Sequence, residues 1–170
     1  FTQSYIYSIS IGTNNNVWLA TDYGAVVFDG ISSSTTYDMN NTIMPSNSVF
    51  SLHIYENNNK WIGTYKGLAK FDDNTWQVFD TSNSDIPGTY ISSIITDSLN
   101  NKWIGTRTGL GKFNDTIWTV YNESNSGISS NIIKSILVDD DLNKWIGTDS
   151  GISCFDNNNW SFANTCNYGL

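Results

Sequence analysis

Apolar residues in this chain fall in short clusters of about four to seven, rich in β-branched and aromatic side chains and cut by Asn, Asp, Gly and Ser. No stretch sustains the 3.6-residue stripe of an amphipathic helix, so the pattern is one of strands and turns. The clusters recur at a fixed interval. Trp18, Trp61, Trp103 and Trp145 stand 43, 42 and 42 residues apart, and Trp76, Trp118 and Trp160 form a second ladder at 42 and 42. A period of this length marks an array of small units that bury their apolar faces against one another. Six residues after each Trp of the first ladder comes a glycine (Gly24, Gly67, Gly109, Gly151), and ten after it a phenylalanine (Phe28, Phe71, Phe113, Phe155). Upstream lies an apolar segment with a serine in a fixed slot: Ile6-Tyr7-Ser8-Ile9, Val49-Phe50-Ser51-Leu52, Ile91-Ser92-Ser93-Ile94 and Ile133-Lys134-Ser135-Ile136.

Each unit reads as four antiparallel strands. In the third they are Tyr90–Thr96, Lys102–Thr106, Gly109–Phe113 and Trp118–Tyr121, joined by hairpin turns whose Asn and Asp tolerate positive φ. The glycine six residues after the Trp supplies the left-handed residue of the central turn. First-strand segments such as Ile91, Ile94 and Ile95 are apolar at both odd and even positions, as expected of a strand sandwiched between neighbours. The fold class is therefore all-β, a β-propeller of four-stranded antiparallel blades. The chain reads as a single propeller-type domain with blades at approximately 1–43, 44–85, 86–127 and 128–170. One such unit cannot bury a core alone. The inter-blade filling falls to Trp18, Trp61, Trp103 and Trp145, to Trp76, Trp118 and Trp160, and to Phe28, Phe71, Phe113 and Phe155.

The repeated string Asn-x-Trp-Ile-Gly-Thr-x-x-Gly-Leu-x-x-Phe-Asp, followed by a Trp and then Asn-Ser-Gly-Ile or Met-Pro-Ser-Asn, resembles the two-component regulator propeller repeat. Lys60 to Asp72 with Trp76, and Lys102 to Asn114 with Trp118, match it closely. The first unit departs from it, holding Ile31-Ser32-Ser33-Ser34-Thr35-Thr36 where the second Trp belongs. The resemblance covers essentially the whole chain. It implies a binding or scaffolding role in the extracytoplasmic part of a bacterial sensor, or in a periplasmic, cell-surface or secreted protein facing carbohydrate or other nutrient signals. Phe1 shares its register with Met44, Ile86, Ile128 and Leu170, so the sequence amounts to four whole periods. Three readings stay open: a four-bladed ring, part of a larger propeller, or a half-ring that assembles through its end blades.

Composition narrows the partners. The net charge is −8 with a pI near 4.2, and the eight Lys and Arg are scattered, three of them as the repeat residues Lys60, Lys102 and Lys144. Nucleic acid, which needs clustered basic residues, is not indicated, and no run of 18 apolar residues suggests a membrane span. Charged residues are 14% against 14% aromatics, too aromatic for disorder, and the Asn-, Ser- and Thr-rich surface favours an extracytoplasmic setting.

Positions kept in every repeat serve the blade; positions that vary are open to a ligand. The sharpest variation lies between the fixed Thr and Gly: Asp22-Tyr23, Tyr65-Lys66, Arg107-Thr108 and Asp149-Ser150. Tyr23, Tyr65, Lys66, Arg107 and Asp149 are accordingly the candidate rim contacts for a carbohydrate or protein partner; plain solvated turn residues are the competing reading. Asp139, Asp141 and Asn143 have the alternating oxygen donors of a calcium loop but lack its glycine and closing glutamate, so an Asx-capped turn accounts for them more simply. His53, the single histidine, reads as an interior or pore-facing imidazole rather than a catalytic base, and no other metal or cofactor is indicated. A hairpin could bring Cys154 and Cys166 near one another, but the register does not favour a disulfide, and two unpaired thiols are the simpler reading. No catalytic motif is present. The expected function is a non-catalytic extracytoplasmic binding or sensing module; the alternatives are a structural building block that self-associates through its end blades, and a fragment of a carbohydrate-active propeller enzyme.

Overall fold

The computed structural model describes residues 5–12, 15–31, 33–55 and 58–163. Four antiparallel sheets of four strands follow one another along the chain, each in simple up-and-down order. The first is β1 (Ile6–Ile11), β2 (Val17–Thr21), β3 (Gly24–Phe28) and β4 (Ser34–Tyr37); the second is β5 (Val49–Tyr55), β6 (Asn59–Thr64), β7 (Gly67–Phe71) and β8 (Trp76–Phe79). The third is β9 (Ile91–Thr96), β10 (Lys102–Thr106), β11 (Leu110–Phe113) and β12 (Trp118–Tyr121); the fourth is β13 (Ile133–Val138), β14 (Lys144–Thr148), β15 (Gly151–Phe155) and β16 (Trp160–Ala163). These are the blades of a β-propeller. No helix among the described residues is long and apolar enough to cross a membrane. The chain forms two compact units: β1–β8 with Thr89–Ile91, and Ser84–Gly88 with β9–β16 from Ser92 onward.

Within each unit the later sheet covers the tryptophan of the earlier one in the same way. In the first unit Trp18 is 4% exposed, lies parallel to Tyr37 at 5.5 Å, and meets Phe71 of the second sheet at 6.5 Å. Tyr37 in turn touches Trp76 at 5.7 Å. In the second unit Trp103 is fully buried, stacks on Tyr121 at 5.9 Å and meets Phe155 of the fourth sheet at 6.1 Å, while Tyr121 touches Trp160 at 5.4 Å. Trp61 is also buried and Trp145 is 43% exposed; Trp76, Trp118, Trp160 and Phe28 are half-buried, whereas Phe71, Phe113 and Phe155 are buried.

The lysines before Trp61 and Trp145 complete this contact. Lys60 Nζ lies 5.5 Å from the centres of the Trp18 and Phe71 rings, and Lys144 Nζ lies 5.1 Å from that of Trp103. Both lysines are 1% exposed, so each ammonium must find oxygen partners inside the protein. Lys60 pairs with Asp73, and Lys144 donates to Leu142 O at 2.8 Å and to Asn157, with Asp97 at 3.8 Å. Lys102 repeats the arrangement with Asn100 O at 2.9 Å and Asp115 at 2.6 Å. Asp97 is itself buried. That burial would raise its pKa, but hydrogen bonds from Trp103 Nε1 and Asn101, and the charge of Lys144, outweigh it and keep the carboxylate below its ordinary range. Burial lowers the pKa of Lys144 more than Asp97 raises it.

Turn chemistry sets the strand ends. Asn15, Asn58 and Asn100 hold the left-handed position between the first and second strands, and Asp73, Asp115 and Asn157 hold the one between the third and fourth. In the fourth sheet the first of these positions falls to Leu142, at φ 63°, where an asparagine stands in the other three. The glycine of the central hairpin is required on two counts: Gly67 has φ +147°, and a Cβ there would lie 2.8 Å from Phe79 O.

His53, on β5 opposite Trp61, stacks on Tyr55 at 6.1 Å, and burial pushes its pKa down from the ordinary 6.5. Burial thus favours the neutral imidazole over the charged one.

Three outcomes follow for urea unfolding. Gly67→Ala lowers stability by about 2 kcal/mol or more, whereas Gly30→Ala, where nothing lies within 4 Å of the added methyl, loses only the smaller left-handed penalty. Leu142→Asn raises stability by about 1 kcal/mol, because asparagine tolerates the left-handed region that leucine resists. A histidine whose folded pKa is depressed contributes fully above the unfolded pKa of 6.5 and loses that contribution as the pH falls below it. The urea midpoint thus drops between pH 7.5 and pH 5, and the drop shrinks in His53→Gln.

Candidate functional site

The four turns between second and third strands share one scaffold. Thr21, Thr64, Thr106 and Thr148 each donate from Oγ1 to the carbonyl of the following glycine at 2.8–2.9 Å. The same oxygen accepts from the backbone N–H of Tyr23, Lys66, Thr108 or Ser150 at 3.1 Å. This threonine clamp fixes the turn without using the two side chains at its tip, which are free to differ between repeats. Tyr23 and Tyr65 are 62% and 51% exposed, and Lys66, Arg107 and Asp149 are exposed as well. Tyr23, Tyr65 and Lys66 belong to the first unit, Arg107 and Asp149 to the second.

Antiparallel pairing places the start of the first strand beside this turn, and there, in the first, second and fourth sheets, the ladder carries an extra residue. Ile6 pairs with Thr21 and Ser8 with Ala20, so Tyr7 is looped out of register; Val49 pairs with Thr64 and Ser51 with Gly63, which does the same to Phe50. In the fourth sheet the extra residue is Lys134, between Ile133 and Ser135. A β-bulge re-aims the inserted side chain while the residues on either side keep their alternation. The turn itself is tied to the same edge, Tyr65 N donating to Ser48 O at 3.0 Å.

In the first unit the bulge residues and the turn residue build a continuous aromatic row. Tyr5 lies 6.4 Å from Tyr7, Tyr7 meets Phe50 edge-on at 5.0 Å, Phe50 stacks on Tyr90 at 4.7 Å, and Tyr90 meets Tyr65 edge-on at 5.9 Å. Tyr5 is 73% and Tyr7 48% exposed, while Phe50 and Tyr90 are half-buried. Of the turn residues singled out from the sequence, Tyr65 enters the row; Tyr23 makes no ring contact with it. In the second unit the bulge slot presents the exposed Lys134, and Arg107 and Asp149 occupy its turns. Sequence reasoning passed over Tyr5, Tyr7, Phe50, Tyr90 and Lys134. The residue just before the fixed serine carried the available signal, because it reads Tyr7, Phe50, Ser92 and Lys134 in the repeat frame and varies as freely as the turn does.

The acidic turn of the fourth sheet is organised around Asp139. Its Oδ1 accepts from the N–H of Asp141 at 3.1 Å and of Asn143 at 2.8 Å, and its Oδ2 accepts from Asn143 Nδ2 at 2.9 Å and Trp145 Nε1 at 2.8 Å. These bonds, that of Trp145 foremost, hold the carboxyl below its ordinary pKa. Among the described residues no group of three or more His, Cys, Asp or Glu side chains is placed to hold a metal ion. Cys154 faces Trp145 across the ladder, and burial pushes its thiol pKa up. Cys166, and with it the disulfide reading, lies outside the described residues.

No protein-family model matches the chain, and no curated protein matches it. Solved structures do. The extracellular domain of a hybrid two-component system from B. thetaiotaomicron superposes with a TM-score of 0.85 at 23% identity, over 96% of this chain and 23% of that one. Virginiamycin B lyase from Staphylococcus aureus gives 0.76 at 14% identity, over 96% of this chain and 57% of the lyase. PorZ, a bacterial surface component of the type-IX secretion system of Porphyromonas gingivalis, gives 0.69 at 19%, over 90% of this chain and 25% of PorZ. The chain thus spans between 23% and 57% of the length of these three proteins. At such identities the likeness shows a shared fold, the β-propeller.

Proposed function

We propose that this chain is a non-catalytic, extracytoplasmic propeller module that binds a carbohydrate along the row Tyr5–Tyr7–Phe50–Tyr90–Tyr65. The carrying observation is the row itself: five aromatic side chains in unbroken contact at one edge of a unit, three of them exposed. Exposed aromatic surface is costly to maintain unless something covers it. Sugar rings match this surface because they combine an apolar C–H face with a rim of hydroxyls, and the tyrosines combine an apolar ring with a phenolic donor and acceptor. In the second unit the corresponding slots hold Lys134, Arg107 and Asp149, polar groups suited to hydroxyls.

The setting is supported by what similar folds do elsewhere, since one of the matching structures is an extracellular domain and another a bacterial surface component. The lyase among them keeps an enzymatic reading in view. What supports the non-catalytic reading here is that the repeated turn carboxylates of Asp72 and Asp156 already accept backbone N–H groups, as turn-forming residues do.

A glycan array probed with the intact chain tests the proposal. Binding of at least one neutral oligosaccharide is expected, with affinity falling about tenfold or more in Tyr65→Ala and Tyr7→Ala and unchanged in the exposed control Ile117→Ala. An array with no retained glycan, or binding indifferent to both tyrosines, would sink it.

A further inference from the structure

Every tryptophan of the first ladder sits in a cross-strand row on one face of its sheet. In the fourth sheet that row is Leu137, Trp145, Cys154 and Ser161, read directly from the pairings. Leu137 is 56% and Trp145 43% exposed, whereas the tryptophans of the corresponding rows in the first and third sheets are 4% and 0% exposed. We infer that this face of the fourth sheet is a docking surface for one further repeat blade, bearing lysine, phenylalanine and tryptophan at the positions of Lys144, Phe155 and Trp160.

The molecule itself supplies the precedent, twice. Trp18 is covered by Lys60 and Phe71, with Trp76 beyond them against Tyr37; Trp103 is covered by Lys144 and Phe155, with Trp160 beyond them against Tyr121. The electrostatics of the open face match the second case. Asp97 receives Trp103 Nε1 at 2.9 Å and the Asn101 amide, and then takes the incoming Lys144 at 3.8 Å. Asp139 receives Trp145 Nε1 at 2.8 Å and the Asn143 amide in the same way. A carboxylate is therefore already oriented beside an open indole, and among the described residues no lysine lies over that indole as Lys144 lies over Trp103. Substitution has also cleared the face. The lysines that lie over their own tryptophans in the second and third sheets, Lys70 at 5.3 Å and Lys112 at 5.5 Å, are replaced in the fourth by Cys154.

The charge requirement argues against the first sheet of a second copy as the occupant. That sheet carries Val17 where the lysine belongs and has no tryptophan at the second-ladder position, so it would bury Asp139 without neutralising it.

The test joins a copy of residues 45–86, which contains Lys60, Phe71 and Trp76, after Leu170 of the intact chain, and compares amide exchange by mass spectrometry with and without it. Exchange across β13 and β14 is expected to slow about tenfold or more, and the slowing is expected to disappear when the lysine of the appended copy alone is changed by Lys60→Val. Unaltered exchange in the extended chain overturns the inference, as does equal slowing with the valine copy. Light scattering on the unextended chain covers the rival occupant: concentration-dependent dimers whose β14 amides are protected would assign the face to a second copy instead.

Discussion

A lysine ammonium lying on an indole ring, deep enough to be almost wholly removed from water, is the contact on which the rest of each unit depends. Such a charge is expensive to bury, and it is tolerated only because the turns around it are built to meet it. The Asp or Asn in the left-handed position of the last hairpin supplies one oxygen, and the carbonyl of the first hairpin supplies another. Lys144 thereby ties two turns of its own sheet to Trp103 of the sheet before it, and Lys60 ties the Asp73 turn to Trp18 in the same way. Hydrophobic filling alone would let sheets slide over one another. A buried cation with directed partners restricts them to one register, as Lys60 and Lys144 do here.

Much of this architecture is legible in the chain. The strands expected in the third repeat match those observed to within one residue, Tyr90 being left out of β9 and Gly109 out of β11. The reason is physical: turn residues with positive φ announce themselves as Asn, Asp or Gly, and here nearly every strand is bounded by one. Leu142 is the exception, and only its place in the repeat gives it away.

The candidate site was less legible. The turn tips were visible as the variable pair between a fixed threonine and a fixed glycine, and Tyr65 was found there. The bulge was not visible, because an inserted residue leaves no mark on composition and blurs the two-residue alternation into something resembling a strand apolar on both faces. The aromatic row was hidden for a further reason. Tyr7, Phe50 and Tyr90 lie 43 and 40 residues apart in sequence, and only the folding of the first unit brings their rings together.

The bulge has a consequence for how such a protein changes over time. Residues flanking it are locked by pairing and, for the fully buried Val49 and Ile133, by burial, while the looped-out residue between them is released from the pairing. A tyrosine, a phenylalanine and a lysine already occupy that place in three copies of one unit. Recognition in this fold can therefore drift one side chain at a time, with the blade beneath it indifferent to the exchange.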